Sequence, residues 1–203
     1  MPVSLSKSNE GKDSYAELIL YQNRIQLSTY DALYSDGVKY IPACVVIDNI
    51  GREVSGIKSV LILGAGLASM VQVLHKAKVK PNITLVDINP VILDWVSDYL
   101  NIANIQSVDT VCTDARQYML TNHNKFDLIF VDIFIGKVVP DFVLNKEFLK
   151  SCKNSLNPGG FFSMNYIERS VKETWELKST IQELFPDGKI TVIGLNLIFV
   201  NKV

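Results

Sequence analysis

Two closely spaced glycines and a set of acids at the ends of apolar runs carry the chemistry of this sequence. Gly64-Ala65-Gly66 follows the run Val60-Leu61-Ile62-Leu63, and Asp87 stands 23 residues after Gly64, at the end of Ile83-Thr84-Leu85-Val86. Glycine has no Cβ, so the backbone can turn sharply and a ligand can lie against it. A helix opening near Leu67 would aim its first N–H groups at that ligand. A carboxylate at the tip of the next strand can accept both hydroxyls of a ribose. The pattern therefore reads as a site for an adenosine-containing cofactor. Asp114 and Asp132 end two further strand-like segments, and Asp132 closes Phe126-Asp127-Leu128-Ile129-Phe130-Val131.

The elements that must position these residues alternate from Ser59 onward. Strands are expected at Val60–Leu63, Ile83–Asp87, Val108–Thr113, Phe126–Val131 and Phe161–Asn165, with two closing strands at Ile190–Leu195 and Leu197–Val203. Helices are expected at Ala68–Lys78, from Pro90 to about Leu100, at Ala115–Leu120, Asn145–Ser155 and Val171–Leu184. The first of these would turn Met70, Val71, Leu74 and Ala77 inward. Pro90 suits a first helical turn, and Asn157-Pro158-Gly159-Gly160 reads as a turn. Near-continuous apolar strands imply a sheet covered on both faces. The pattern gives a doubly wound α/β fold with a mostly parallel seven-stranded sheet, whose ligands bind beyond the carboxyl ends of the strands. Gly64, Asp87, Asp114 and Asp132 all fall at those ends.

Before Ser59 the chain reads as a short β-rich appendage. Residues 1–14 are polar and expected to fray. Leu18–Tyr21 and Arg24–Leu27 flank Gln22-Asn23 as a small hairpin, Ser35-Asp36-Gly37-Val38 is a turn, and Val45–Ile50 is apolar without a clear type. The expected division is an N-terminal extension over 1–56 and a cofactor-binding domain over 57–203.

The bulk properties narrow the classes. At 203 residues, 48% hydrophobic and mean hydropathy +0.18, the chain can bury a full core. A net charge of −1 argues against a nucleic-acid surface built on phosphate contacts. The run His75-Lys76-Ala77-Lys78-Val79-Lys80 reads as a solvated helix end. Cys44, Cys112 and Cys152 are scattered, with no metal-ligand spacing, and fit a reducing, cytoplasmic compartment. No metal site is expected; His75 and His123 read as solvated. The segment Met1–Lys7 lacks a signal-peptide core, and the apolar stretch Leu128–Val139 is interrupted by Asp132 and Lys137, so no membrane span is expected.

At Leu63–Ser69, Leu85-Val86-Asp87, Thr113-Asp114-Ala115-Arg116, Phe126–Asp132 and Leu156–Gly160, the chain resembles the class I S-adenosylmethionine-dependent methyltransferases, and within them the spermidine-synthase-like branch. The likeness covers about residues 57–203 and implies a Rossmann-like methyltransferase fold. It implies that Gly64, Ala65 and Gly66 approach the methionine part of S-adenosylmethionine. Asp87 would hold the ribose, Ile88 beside it would also contact the cofactor, and Asp114, with the backbone of Ala115, would meet the adenine amino group. Asp132 would lie near the sulfonium and the incoming substrate, as catalytic base or orienting group. Homodimers are common in this branch.

Two positions depart from the aminopropyltransferases of the branch. Those enzymes carry an acid inside the glycine turn, where Leu67 stands here. They carry a second acid shortly after the strand-ending Asp, where this chain reads Asp132-Ile133-Phe134-Ile135-Gly136. Two cationic amines would lack their carboxylates. The expectation is therefore methyl transfer to a small-molecule acceptor, with aminopropyl transfer and a non-catalytic binding protein as alternatives. A nicotinamide oxidoreductase would want glycine at position 69, where Ser69 stands. Asp87 and Asp114 each have a competing reading as helix caps. Asn165 and Tyr166, which follow the fifth strand, could reach the pocket but read better as ordinary loop residues, and Phe134 could stack on a substrate but reads better as packing.

Overall fold

The computed structural model describes residues 1–8, 15–30, 32–167 and 171–203. The N-terminal part is a four-stranded antiparallel sheet in the order β1 (Val3–Lys7), β2 (Ala16–Tyr21), β3 (Arg24–Thr29), β4 (Leu33–Ser35). The expected hairpin is β2–β3. Gln22 and Asn23 both take positive φ, as a two-residue turn matching strand twist requires. The expectation of a frayed start needs correction: Val3–Lys7 pairs with β2 as the edge strand of this sheet, with Val3, Ser4, Leu5 and Lys7 exposed. Residues 9–14 of that segment lie outside the described residues.

The undetermined stretch before Gly51 is helix α1 (Ile41–Ile50), opened by Pro42 in its first turn. Ala43, Val46, Ile47 and Ile50 recur at helical spacing and are buried, which outweighs the β-branched content. The helix packs against α2 (Ser69–Lys76) and β11 (Asn196–Lys202).

The main sheet contains β5 (Ser59–Leu63), β6 (Asn82–Asp87), β7 (Val108–Cys112), β8 (Phe126–Val131), β9 (Leu156–Ile167), β10 (Lys189–Ile193) and β11, in the order β10-β11-β9-β8-β5-β6-β7. Strands β9, β8, β5, β6 and β7 run parallel, and β11 and β10 are added antiparallel. The remaining helices are α3 (Pro90–Ile102), α4 (Ala115–Thr121), α5 (Lys146–Asn154) and α6 (Val171–Leu184). Side chains alternate across the sheet. Val60, Ile62, Leu85 and Phe130 join one core with residues of α1, α2 and α3, while Leu61, Leu63, Ile129 and Val131 join the other with residues of α4, α5 and α6. The doubly wound seven-stranded expectation holds.

Three local readings change. Helix α2 opens at Ser69, since Ala68 sits in the left-handed region, and it ends at Lys76, with Lys78 also left-handed. Ala77 is thereby exposed rather than inward. Asn157-Pro158-Gly159-Gly160 is the irregular start of β9: the Gly159 N–H donates to the Val203 carbonyl and the Val203 N–H to the Gly160 carbonyl, and Gly160 sits against the carbonyls of Phe126 and Asp127.

The chain moves outward from β5 through β6 to β7, then crosses back to place β8 on the other side of β5. The switch in strand order thus lies between β5 and β8, where a crevice opens beyond their carboxyl ends.

Candidate active site

A cavity of ≈ 510 Å³ occupies that crevice, within the usual range for small-ligand sites. Its walls include Gly64, Gly66, Asp87, Ile88, Asp114, Ala115 and Asp132. Every predicted site residue except Ala65 lines it. Ala65 is buried directly behind, with its N–H on Asp87.

The glycine turn is wedged between two backbones. Gly64 has φ +97°, and a Cβ there would lie 2.2 Å from the carbonyl oxygen of Asp132. Gly66 has φ +50°, and its Cβ would lie 3.0 Å from the carbonyl oxygen of Tyr34. Both positions require glycine for conformation and for space. Leu67 is 1% exposed and points into the core, so it offers no polar group to the cavity.

Asp87 ends β6 as expected. Its Oδ2 accepts from the Ala65 N–H at 2.8 Å and its Oδ1 from the Asn89 N–H at 2.9 Å. Asn89, not Asp87, caps α3, accepting from Val91 and Ile92. Burial raises the Asp87 carboxyl above its ordinary value against the pull of these N–H donors. Each oxygen keeps acceptor capacity for a further donor.

Asp114 does cap its helix. Oδ1 accepts from the N–H groups of Arg116 and Gln117, and the Arg116 guanidinium lies 3.3 Å away. Those partners outweigh desolvation and hold its carboxyl below the ordinary value.

Asp132 follows β8 and is anchored by its own N–H to the Leu63 carbonyl at 2.8 Å. Its Oδ1 accepts from Asn165 Nδ2 at 2.9 Å and from the Tyr40 hydroxyl at 3.1 Å. Burial pushes its carboxyl up to about 6, and these two donors oppose the rise. The same burial, with the neighbouring carboxylate, raises the Tyr40 phenol. Asn165 is 2% exposed, and its Oδ1 has no partner.

Tyr40 is a candidate-site residue that sequence reasoning missed, and Asn165 is one that it ranked below a loop role. Asn165 is not a loop residue: it lies in β9, paired with Ile198 of β11. A polar residue inside Phe161–Tyr166 was the available signal. Tyr40 comes from the segment before α1, 92 positions from Asp132, and no local spacing links the two. Tyr166 is fully buried in the core, as a packing residue should be. Phe134 lines the cavity and accepts a bond from the Tyr34 hydroxyl through its backbone oxygen. His123 is exposed and His75 half-buried. Among the described residues no group of acids, histidines and cysteines could hold a metal ion, and no helix is long and apolar enough to cross a membrane.

A doubly wound sheet with a glycine turn, a strand-ending acid beside it, and a second acid across the switch point is the Rossmann-like fold of the class I S-adenosylmethionine-dependent methyltransferase superfamily. Residues 47–190 match the spermine/spermidine synthase domain, and the chain belongs to that family. It is 31% identical over 135 residues to a probable polyamine aminopropyl transferase of Bifidobacterium longum, covering 64% of this chain and 29% of that protein. It is 25% identical over 138 residues to an eEF1A lysine and N-terminal methyltransferase homolog of Drosophila melanogaster, covering 64% of this chain and 20% of that one. The chain thus spans less than a third of the length of either relative. A probable spermidine synthase from Corynebacterium glutamicum superposes with a TM-score of 0.79 at 16% identity, over 98% of this chain and 79% of that one, which bears on the fold alone.

Proposed function

We propose that this chain transfers a methyl group from S-adenosylmethionine to a small-molecule nucleophile. The observation that carries this reading is the glycine turn, where the buried Leu67 leaves the turn itself without a carboxylate. The decarboxylated cofactor needs an anion for its free aminopropyl ammonium. Intact S-adenosylmethionine carries its own carboxylate beside its amine. Gly64, Ala65 and Gly66 would receive the methionine part, Asp87 and Ile88 the ribose, and Asp114 and Ala115 the adenine edge. S-Adenosylmethionine supplies an electrophilic methyl group when bound. The protein's own contribution is to orient the acceptor and take its proton, and Asp132 is the group for that at the switch point.

Aminopropyl transfer is the second reading, favoured by the polyamine aminopropyl transferase relative. Calorimetric titration with S-adenosylmethionine and its decarboxylated form separates the two. Tighter binding of the intact cofactor supports methyl transfer; tighter binding of the decarboxylated form overturns it. Binding of neither would mark a protein that keeps the fold without turnover. The free thiols of Cys44, Cys112 and Cys152 support a reducing, cytoplasmic setting, and we propose a homodimer as the assembly to test by sedimentation.

A further inference from the structure

Four carboxylates line the cavity: Asp36, Asp87, Asp114 and Asp132. Asp36 pairs with Arg24 inside the N-terminal part. Asp114 is paired differently, because its arginine is also held from the far side. Arg116 Nε lies 3.3 Å from Asp114 Oδ1, and Arg116 Nη2 lies 3.3 Å from Oδ2, so the guanidinium engages both oxygens. The guanidinium carbon stands 4.8 Å from the centroid of the Phe142 ring, within cation–π range. Phe142 meets Phe148 edge-on at 5.2 Å and lines the cavity. One side chain thus joins the acid that follows β7 to the segment Asp141–Leu144, which comes after β8.

Helix α4 does not need this arrangement. Asp114 Oδ1 already caps it by accepting from the N–H groups of Arg116 and Gln117. The Arg116 side chain is 59% exposed, and an exposed ion pair adds little to stability. What the fork fixes is the direction of the carboxylate. Oδ1 carries three donors, the two backbone N–H groups and Nε. Oδ2 carries Nη2 alone among the described residues, so it keeps a lone pair for a ligand donor. The cavity wall on either side of Asp114 is apolar, formed by Ala115 and Phe142. An acceptor of fixed direction between apolar surfaces suits an aromatic ring with one exocyclic donor.

We propose that Arg116 is the positioning residue that makes this cavity selective for its base: seated on Phe142, its fork holds the Asp114 carboxylate so that Oδ2 accepts from the exocyclic amine of adenine. A base with a carbonyl at that position sets oxygen against oxygen and is rejected, because neither group has a proton to share. Lysine cannot take the place of Arg116. Its ammonium is a point charge on a flexible stem and lacks the planar fork that fixes a carboxylate and stacks on a ring. The inference rests on the reading that Asp114 meets the adenine edge, and adds what gives that acid its direction.

The test titrates the full chain with 5′-methylthioadenosine and 5′-methylthioinosine, which present an amine and a carbonyl at the purine 6-position. The parent is expected to bind the adenosine at least about tenfold more tightly. Arg116→Gln should melt within about 3 °C of the parent, since the backbone cap of α4 remains, and should cut the ratio of the two affinities about fivefold or more. Arg116→Lys should cut it as far, and Phe142→Leu in the same direction by less. A merely structural role would weaken both nucleosides together; an unchanged ratio in Arg116→Gln therefore overturns the proposal. A ratio fully kept by Arg116→Lys overturns the fork. A parent that binds the two nucleosides equally overturns instead the assignment of adenine to Asp114, and a parent that binds neither overturns the cofactor reading itself.

Discussion

The two ends of the crevice are built differently. On the proposed cofactor side, Asp87 and Asp114 are each fixed by backbone N–H groups within a few residues of a strand end, or by the adjacent glycine turn. On the acceptor side, Asp132 is fixed by Tyr40 and Asn165, which come from the N-terminal part and from β9. The first is rigid by local geometry and its acids are already solvated by amides. The second is assembled from distant segments and holds a carboxylate that burial keeps hard to ionise. A cofactor common to a superfamily suits the first construction. A proton-accepting group tuned near neutrality suits the second.

The contrast can be broken most severely at Gly64. Gly64→Ala places a Cβ at 2.2 Å from the Asp132 carbonyl at a positive φ, so turn and acceptor side must both shift. Loss of measurable cofactor binding is expected, with destabilisation of about 2–4 kcal/mol. Calorimetry and thermal unfolding read the two effects.

Asp132→Asn separates the sides. Turnover should fall about 10²–10⁴-fold, while cofactor affinity stays within a few-fold. Stability supplies an independent readout. The Asp132 carboxyl titrates near 6 in the folded protein against an ordinary 3.8, so between those values the native state binds more protons than the unfolded one. Its contribution to stability is therefore greatest below about pH 4 and declines as pH rises through 6. The Asn variant should lose that slope and be more stable than the parent at pH 8. A parent melting temperature flat from pH 4 to 7 would contradict the assignment.

Asp87→Asn tests the other side. An amide oxygen can still accept from one backbone N–H, so folding should survive. Loss of the charged acceptor should weaken cofactor binding about 10–100-fold, with the pH dependence set by Asp132 unchanged.

Tyr40→Phe is the smallest change. The Tyr40 hydroxyl opposes the upward push of burial on Asp132, so removing it should move the rising limb of the pH–rate profile to higher pH. Turnover at pH 7 should fall about tenfold or less, on the scale of one hydrogen bond to a charged group. A rate loss without a pH shift would leave Tyr40 as packing only.

Much of the cofactor side was legible because its signals are local. Gly64, Gly66 and Asp87 sit at strand ends at a spacing set by one strand–helix–strand unit, and Asp114 carries its capping role in the residues beside it. The acceptor side was legible only at Asp132. Asn165 stood at the end of the expected strand, where its side chain could as well have faced solvent, and its pairing with β11 is a contact between segments. Tyr40 had no readable signal, because the helix it precedes was itself undetermined: α1 is stabilised by packing on α2 and β11, not by propensity. The edge strand β1 was hidden for the same reason, since its largely exposed residues show no one-sided apolar pattern and form a strand only against β2.

The sequence by itself determined the doubly wound order, the glycine turn and the strand-ending acids. Each follows from hydrophobic periodicity and backbone freedom over a few residues. Only the tertiary structure decided what holds Asp132 and how deeply it is buried. Those are properties of burial and of partners far apart in the chain, and desolvation acts on a carboxylate only once the chain has closed around it.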